Sequence, residues 1–300
     1  MTGVVAVFVT WNPELDRLSA AVASVAYQVE RVIIIDNGSR NFEGLKSRFA
    51  PLAEVELVGQ RDNLGIGVAL NVGVNRALRS EPIWVLTMDQ DTLVSSGAIH
   101  AIVEDFGMLD ESVQSKCAIL ALRPRPQPGS NWLTRYAESL LELEDCGDFT
   151  ERRAVITSGN LVRADVAGRV PFNELMFIDQ VDFEYCFELR RRGYLVLRQK
   201  VVTLDHVLGE IYDDVQRDHP YENAQRLYYI VRNSTYMVLR RRLLVRHFVS
   251  QVVMFSGAFV SMNGVRALGL GIRIILLGVF DSCLGRMGRR EYRFLSRGRR

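Results

Sequence analysis

Two aspartates one residue apart, in Asp89-Gln90-Asp91, stand directly after the apolar run Ile83-Trp84-Val85-Leu86-Thr87-Met88. Carboxylates released at the end of a buried strand are hard oxygen ligands, suited to Mg2+ or Mn2+ held against a diphosphate. A divalent ion at that point would act as a Lewis acid and neutralise charge building on a departing phosphate group. An isolated Asp-x-Asp is as readily a strand end or a helix cap, so the pair gains its meaning from position. Asp36, in Asp36-Asn37-Gly38-Ser39, follows an earlier apolar run in the same phase. Its carboxylate is expected to close a turn with Gly38, to accept hydrogen bonds from a nucleobase imide or ribose hydroxyl, or to do both.

A further carboxylate cluster lies late in the chain, in Phe177-Ile178-Asp179-Gln180-Val181-Asp182-Phe183-Glu184, where a helix running to Gly193 begins. Asp179 as N-cap and Asp182 as its N3 partner would be ordinary helix chemistry. Capping does not require three carboxylates in six residues, however. A general base that takes a proton from a hydroxyl must be held near the reacting carbon and the metal, which makes Asp182 the expected base and Asp179 its substitute. His206, in Asp205-His206-Val207-Leu208-Gly209-Glu210, is expected just after a strand over Leu195 to Leu204. A lone histidine there is commonly structural, but a neutral imidazole would complete a metal sphere begun by Asp91.

Asn63-Leu64-Gly65-Ile66-Gly67 opens a helix with two glycines, an arrangement that lets backbone approach a ligand and turns helix N–H groups toward it. It is no dinucleotide fingerprint: the third small position is Leu70, the loop follows the third strand rather than the first, and NAD and FAD are therefore excluded.

These residues need a frame to hold them. Val4 to Val9 and Val32 to Ile35 are unbroken apolar runs, Glu54 to Val58 supplies a third, short strand, and Ile83 to Met88 is the fourth. Runs apolar on both faces belong to a parallel sheet covered by helices. Between them, Leu18, Val22 and Val25 mark one helical face, and Ile66, Leu70, Gly73 and Ala77 mark another. The order predicts an α/β, doubly wound, mostly parallel sheet with right-handed crossovers, ligands lying beyond the carboxyl ends of its strands. Thr10 to Asn12, Asp36 to Ser39, Arg61 to Asn63 and Asp89 to Asp91 are the polar clusters at those ends. Arg123-Pro124-Arg125-Pro126-Gln127-Pro128-Gly129 is expected as a loop across the mouth of the site, neither helix interior nor central strand. It divides a donor half, 1–122, from an acceptor half, 123–235. Thr157-Ser158-Gly159-Asn160 reads as a turn, and a helical, basic tail occupies 236–300.

Lys plus Arg at 37 against Asp plus Glu at 35 leaves a net charge of +2, which does not suit a general polyanion binder. The arginines gather late, in Arg240-Arg241-Arg242, Arg246, Arg273 and the run from Arg286 to Arg300. Without a basic recognition module or interleaved aromatics they predict no nucleic-acid site. They would meet phosphate groups or an anionic membrane surface, or solubilise the tail. The apolar stretch Phe248 to Phe280 is interrupted by Ser250, Gln251, Asn263, Arg266 and Arg273, so it reads as helices lying on a membrane or packing together, not as a span. Four cysteines without a C-x-x-C pair, and no basic-then-apolar leader before Val4, point to a reducing cytosol, with the enzyme peripheral at the inner face of the cytoplasmic membrane.

The spaced set resembles family-2 inverting glycosyltransferases of the GT-A fold, and within them the bacterial dTDP-rhamnosyltransferases that build surface polysaccharides. The matching text is Val9 to Pro13, Ile35 to Ser39, Asn63 to Gly67, Trp84 to Asp91, Phe177 to Glu184, His206 to Gly209 and Tyr228-Tyr229-Ile230-Val231-Arg232-Asn233, over residues 4–235. The resemblance implies that Thr10 and Asp36 contact the base or ribose, that Asn63 lines the donor pocket with Gln90 as a further donor contact, that Asp89 and Asp91 hold ribose, diphosphate and a Mg2+ or Mn2+ ion, and that Asp182 is the base. The family often writes Glu-Asp there; this chain has Val181-Asp182. The implied donor is a nucleotide sugar, dTDP-L-rhamnose, and the implied acceptor a saccharide or lipid-linked saccharide. A membrane surface, or a second copy of the chain, would meet the tail. The alternatives are a galactofuranosyl or N-acetylglucosaminyl transferase on the same fold, and a catalytically silent nucleotide-sugar-binding subunit.

Overall fold

The structure is a computed structural model that describes residues 3–125, 132–206, 224–240, 243–292 and 295. The first half alternates as expected. Strand β1 (Val4–Thr10) leads to helix α1 (Leu15–Ala26), β2 (Arg31–Asp36) to α2 (Phe42–Phe49), and β3 (Val55–Gly59) to α3 (Ile66–Ala77), before β4 (Trp84–Asp89). These strands lie in the order β3-β2-β1-β4, all parallel. Side chains alternate across a strand, so successive residues serve opposite faces. Val4, Ala6 and Phe8 pack with Leu18, Val22 and Ile99, whereas Val5 and Val7 pack with Leu70 and Val74. Ile33 and Ile34 follow the same rule and are fully buried, each burial contributing roughly 1.5–3 kcal/mol.

A short strand, β5 (Thr92–Val94), follows β4 at once, and α4 (Ala98–Gly107), α5 (Glu111–Gln114), β6 (Cys117–Pro124) and α6 (Trp132–Ser139) lead on to the second half. There β7 (Glu142–Cys146), β8 (Phe149–Arg152), β9 (Asn160–Arg163), α7 (Ala164–Arg169), α8 (Val181–Arg191) and β10 (Leu195–His206) extend the same sheet. Its full order is β3-β2-β1-β4-β9-β6-β10-β8-β7, with β5 on β10. β9 enters antiparallel between β4 and β6, so the sheet turns from parallel to mixed there.

Three expectations shift. β6 runs two residues past Leu122 and takes in Arg123 and Pro124, with an irregular register against β10. Pro124 lacks an N–H, and the next donor, Arg125 N–H, reaches Leu204 O at 2.8 Å; the rest of the expected mouth loop, 126–129, lies outside the described residues. β10 reaches His206 instead of stopping at Leu204, because β5 pairs with its last three residues. The hairpin β7–β8 was not legible as strand: its Glu142 and Asp145 carry charges that Arg152 and Lys200 neutralise across the sheet, and its Glu151 one that Arg190 of α8 neutralises.

Helices α9 (Ala224–Leu239), α10 (Val245–Asn263) and α11 (Leu268–Cys283) close the chain and share an apolar cluster of Tyr228, Val231, Phe259 and Ile274. Among the described residues no helix is long and apolar enough to cross a membrane.

Candidate active site

The carboxyl ends of β1, β2 and β4 lie in register, Thr10 opposite Asp36 and Val9 opposite Asp89. The Thr10 hydroxyl donates to Asp36 Oδ1 at 3.3 Å, and Ser39 N–H donates to Asp36 Oδ2 at 2.9 Å. Both side chains are buried, so Asp36 organises the turn expected of it. Each carboxylate oxygen keeps one further lone pair for another donor. Asn63 lies beside this turn: its Oδ1 accepts from Asn37 Nδ2 at 3.1 Å and from Gly65 N–H at 3.0 Å, while Asn37 Oδ1 accepts from Leu64 N–H at 3.0 Å. The two asparagines tie the loops after β2 and β3 together.

The glycines that follow do something other than admit a ligand. Gly65 has φ +98°, and a Cβ on it would lie 2.7 Å from Phe177 O; one on Gly67 would lie 2.7 Å from Asn173 O. Ile66 N–H donates to Phe177 O at 2.8 Å. The start of α3 is therefore occupied by the segment 173–177, which uses the close approach that the sequence suggested for a ligand.

At the end of β4, Gln90 Oε1 accepts from Trp11 N–H at 2.8 Å, fastening the β1 loop to the Asp89-Gln90-Asp91 turn. Asp89 N–H donates to the Ser158 hydroxyl at 3.0 Å. Asp89 and Asp91 are both half-buried, and the Arg17 guanidinium stands 3.9 Å from Asp91 Oδ2. The backbone of His206 pairs with Thr92, so the end of β10 lies alongside the residue that follows Asp91; the His206 side chain lies outside the described residues. Among the described residues no three His, Cys, Asp or Glu side chains form a metal cage. The donor set nevertheless fits a magnesium-type ion, which is commonly held by one or two carboxylates and completed by phosphate oxygens and water.

The second half brings Asp182 to this edge. It occupies the first turn of α8, half-buried, and its Oδ1 accepts from Phe183 N–H at 2.8 Å. Burial pushes its carboxyl up to about 7; the Phe183 N–H opposes that, and the neighbouring charges of Asp89 and Asp179 add to it. Asp89 of β4 and Asp182 of α8 thus stand close enough for one charge to act on the other. Asp179 is not the N-cap. Gln180 holds that position, and both residues are left-handed, with φ +61° and +64°. Asp179 instead accepts from Arg226 Nε at 3.1 Å, and burial raises its carboxyl despite that partner.

Ser158, which accepts from Asp89 N–H, escaped the sequence reading as a site residue and was visible only as part of a turn.

Residues 6–116 match the family model described as Glycosyl transferase family 2. Over that stretch, a little over a third of the chain, it is similar to family-2 glycosyltransferases. The chain is also 26% identical over 242 residues to the dTDP-rhamnosyl transferase RfbF of Shigella flexneri, covering 80% of this chain and 81% of that one. A crystal structure of GalNAc-T7 with UDP, GalNAc and Mn2+ superposes with a TM-score of 0.57 at 13% identity, over 76% of this chain; the chain spans about half the length of that protein, 47%. That likeness shows the fold alone, GT-A. The protein is accordingly a glycosyltransferase, and the sheet edge described above is the candidate site of transfer.

Proposed function

We propose that this glycosyltransferase moves L-rhamnose from dTDP-L-rhamnose, with inversion, to a hydroxyl of a growing, lipid-linked cell-surface polysaccharide. The observation that carries the reading is that Asp182, at the start of α8, lies within electrostatic reach of Asp89, at the end of β4. The 26% identity to a dTDP-rhamnosyl transferase supports the donor. Thr10 and the remaining lone pairs of Asp36 take the base or ribose, Asn63 and Gln90 line the donor side, and Asp89, Asp91 and His206 would hold a Mg2+ or Mn2+ ion. The bound ion would neutralise charge on the departing diphosphate. Asp182 accepts the proton of the acceptor hydroxyl as its oxygen bonds to the anomeric carbon, and the opposite bond from that carbon to the diphosphate oxygen breaks, so configuration inverts. A carboxylate raised toward neutral pH is a stronger base than an ordinary aspartate.

In this reading residues 1–122 serve the donor, 123–235 the acceptor, and 236–300 the surrounding membrane. The tail carries thirteen arginines from Arg240 on against Asp281 and Glu291. Its exposed faces are apolar: Val245, Val249 and Val253 on α10, and Leu268, Ile272, Leu276 and Phe280 on α11. Helices of this kind lie in an anionic lipid interface.

The test is release of dTDP from dTDP-rhamnose, with and without Mg2+, beside a panel of UDP- and GDP-sugars. Preference for another nucleotide sugar would move the donor to a galactofuranosyl or N-acetylglucosaminyl reading; binding without turnover across the panel would leave a silent subunit.

A further inference from the structure

The motif Tyr228-Tyr229-Ile230-Val231-Arg232-Asn233 lies on α9, away from the sheet edge, and nothing in the transfer chemistry uses it directly. Its last residue touches the strap that launches the base. Asn233 Nδ2 donates 2.8 Å hydrogen bonds to the carbonyl oxygens of both Ile178 and Asp179. Its Oδ1 accepts from Arg232 Nε at 3.0 Å, so all of the polar atoms of this buried amide are engaged. Arg232 in turn donates to Gly288 O at 2.7 Å and lies over the Tyr229 ring.

The strap needs such a hold. Asp179 and Gln180 are consecutive left-handed residues without being glycine, a conformation that persists only where the surroundings over-determine it. Three contacts from the C-terminal helices do so: Asn233 on two carbonyls, Arg226 Nε on the Asp179 carboxylate at 3.1 Å, and Gln251 Oε1 accepting from Gln180 Nε2 at 3.3 Å. The chain leaves this turn directly into Val181 and Asp182. We propose that Asn233 is a positioning residue for the transfer reaction: it locks the Asp179–Gln180 turn and thereby sets where the Asp182 carboxylate stands. The inference rests on Asp182 as the base.

The experiment is a double-mutant cycle on the full chain. Asn233→Ala should lower kcat by about 10²-fold, the scale of a small misplacement of a reacting group, while dTDP affinity changes less than about twofold. In an Asp182→Asn background the same substitution should cost almost nothing more, because both act on one proton transfer. Gln180→Gly, which adopts the left-handed turn freely, should restore part of the turnover lost in Asn233→Ala; a general loss of packing would not respond. Should Asn233→Ala fail to fold, Asn233→Ser, which keeps a hydroxyl donor, carries the same cycle. Additive losses in the double variant, or near-normal turnover in a folded Asn233 variant, overturn the positioning role. A silent Asp182→Asn overturns the base assignment instead, so the two failures are told apart.

Discussion

The backbone of His206 is paired with that of Thr92, one residue beyond Asp91. Segments more than a hundred residues apart therefore end side by side, at the point where a metal-bound diphosphate would sit. His206→Ala should weaken Mn2+ affinity in the presence of dTDP by at least about tenfold, the lower end of what disturbed metal shells show, and Asp91→Ala should abolish metal-dependent nucleotide binding. Calorimetric titration of dTDP with and without the ion reads both. Unchanged affinity in Asp91→Ala would remove the metal from this corner.

Asp182→Asn keeps volume but cannot accept the acceptor proton, so kcat should fall by roughly 10²–10⁴-fold with donor affinity retained. Its stability should move the other way. A carboxyl raised in the fold favours folding while it is protonated, and that contribution is lost as pH rises from the unfolded value toward about 7. The amide variant should melt higher than the parent at pH 8, and the gap should close toward pH 4. Equal melting temperatures at pH 8 would contradict the burial of the charge.

The same shift sets a pH profile. With Asp182 as the base, kcat/KM should decline below about pH 7 along a single protonation in the limit of low metal. Saturating Mg2+ neutralises part of the Asp89 charge that helps to raise Asp182, so the acid limb should move to lower pH. An acid limb that ignores the metal concentration would place the two carboxylates in separate sites.

For the tail, the measurement is co-sedimentation with vesicles of phosphatidylglycerol against phosphatidylcholine at low salt. Binding to the anionic vesicles is expected, lost in Leu276→Glu with Phe280→Glu, while dTDP release to a soluble acceptor stays within about twofold because neither residue approaches the sheet edge. Absence of binding, with a concentration-dependent dimer by sedimentation, would give these faces to a second copy.

Much of the donor half was legible because its signals are local. The unbroken runs of β1, β2 and β4 could only be two-sided strands, and the polar residues that stop them had to share one edge. The helix start that carries Asp182 was legible too, marked by three carboxylates in six residues. The misreadings share a cause, which is partners distant in sequence. Gly65 and Gly67 looked open to a ligand because nothing local reveals that Phe177 and Asn173 fill the space above them. Asp179 looked like a cap because its partner, Arg226, lies on α9. The β7–β8 hairpin hid behind charges, two of which, Glu151 and Asp145, are neutralised from other elements by Arg190 of α8 and Lys200 of β10.

The position of β10 also bears on how the enzyme is made. β1, β2 and β3 join neighbours that one helix separates, whereas β4 returns to β1 past two intervening strands, and β10 returns to β6, to β8 and finally to β5. Contacts that close long loops form late, since chain entropy is lost before they contribute. A nascent chain can thus assemble its nucleotide-facing strands early and still lack the corner that carries Asp91 and His206. In the proposed reading, the corner that would receive the donor is complete only once β10 has docked, after nearly all of the sheet has formed.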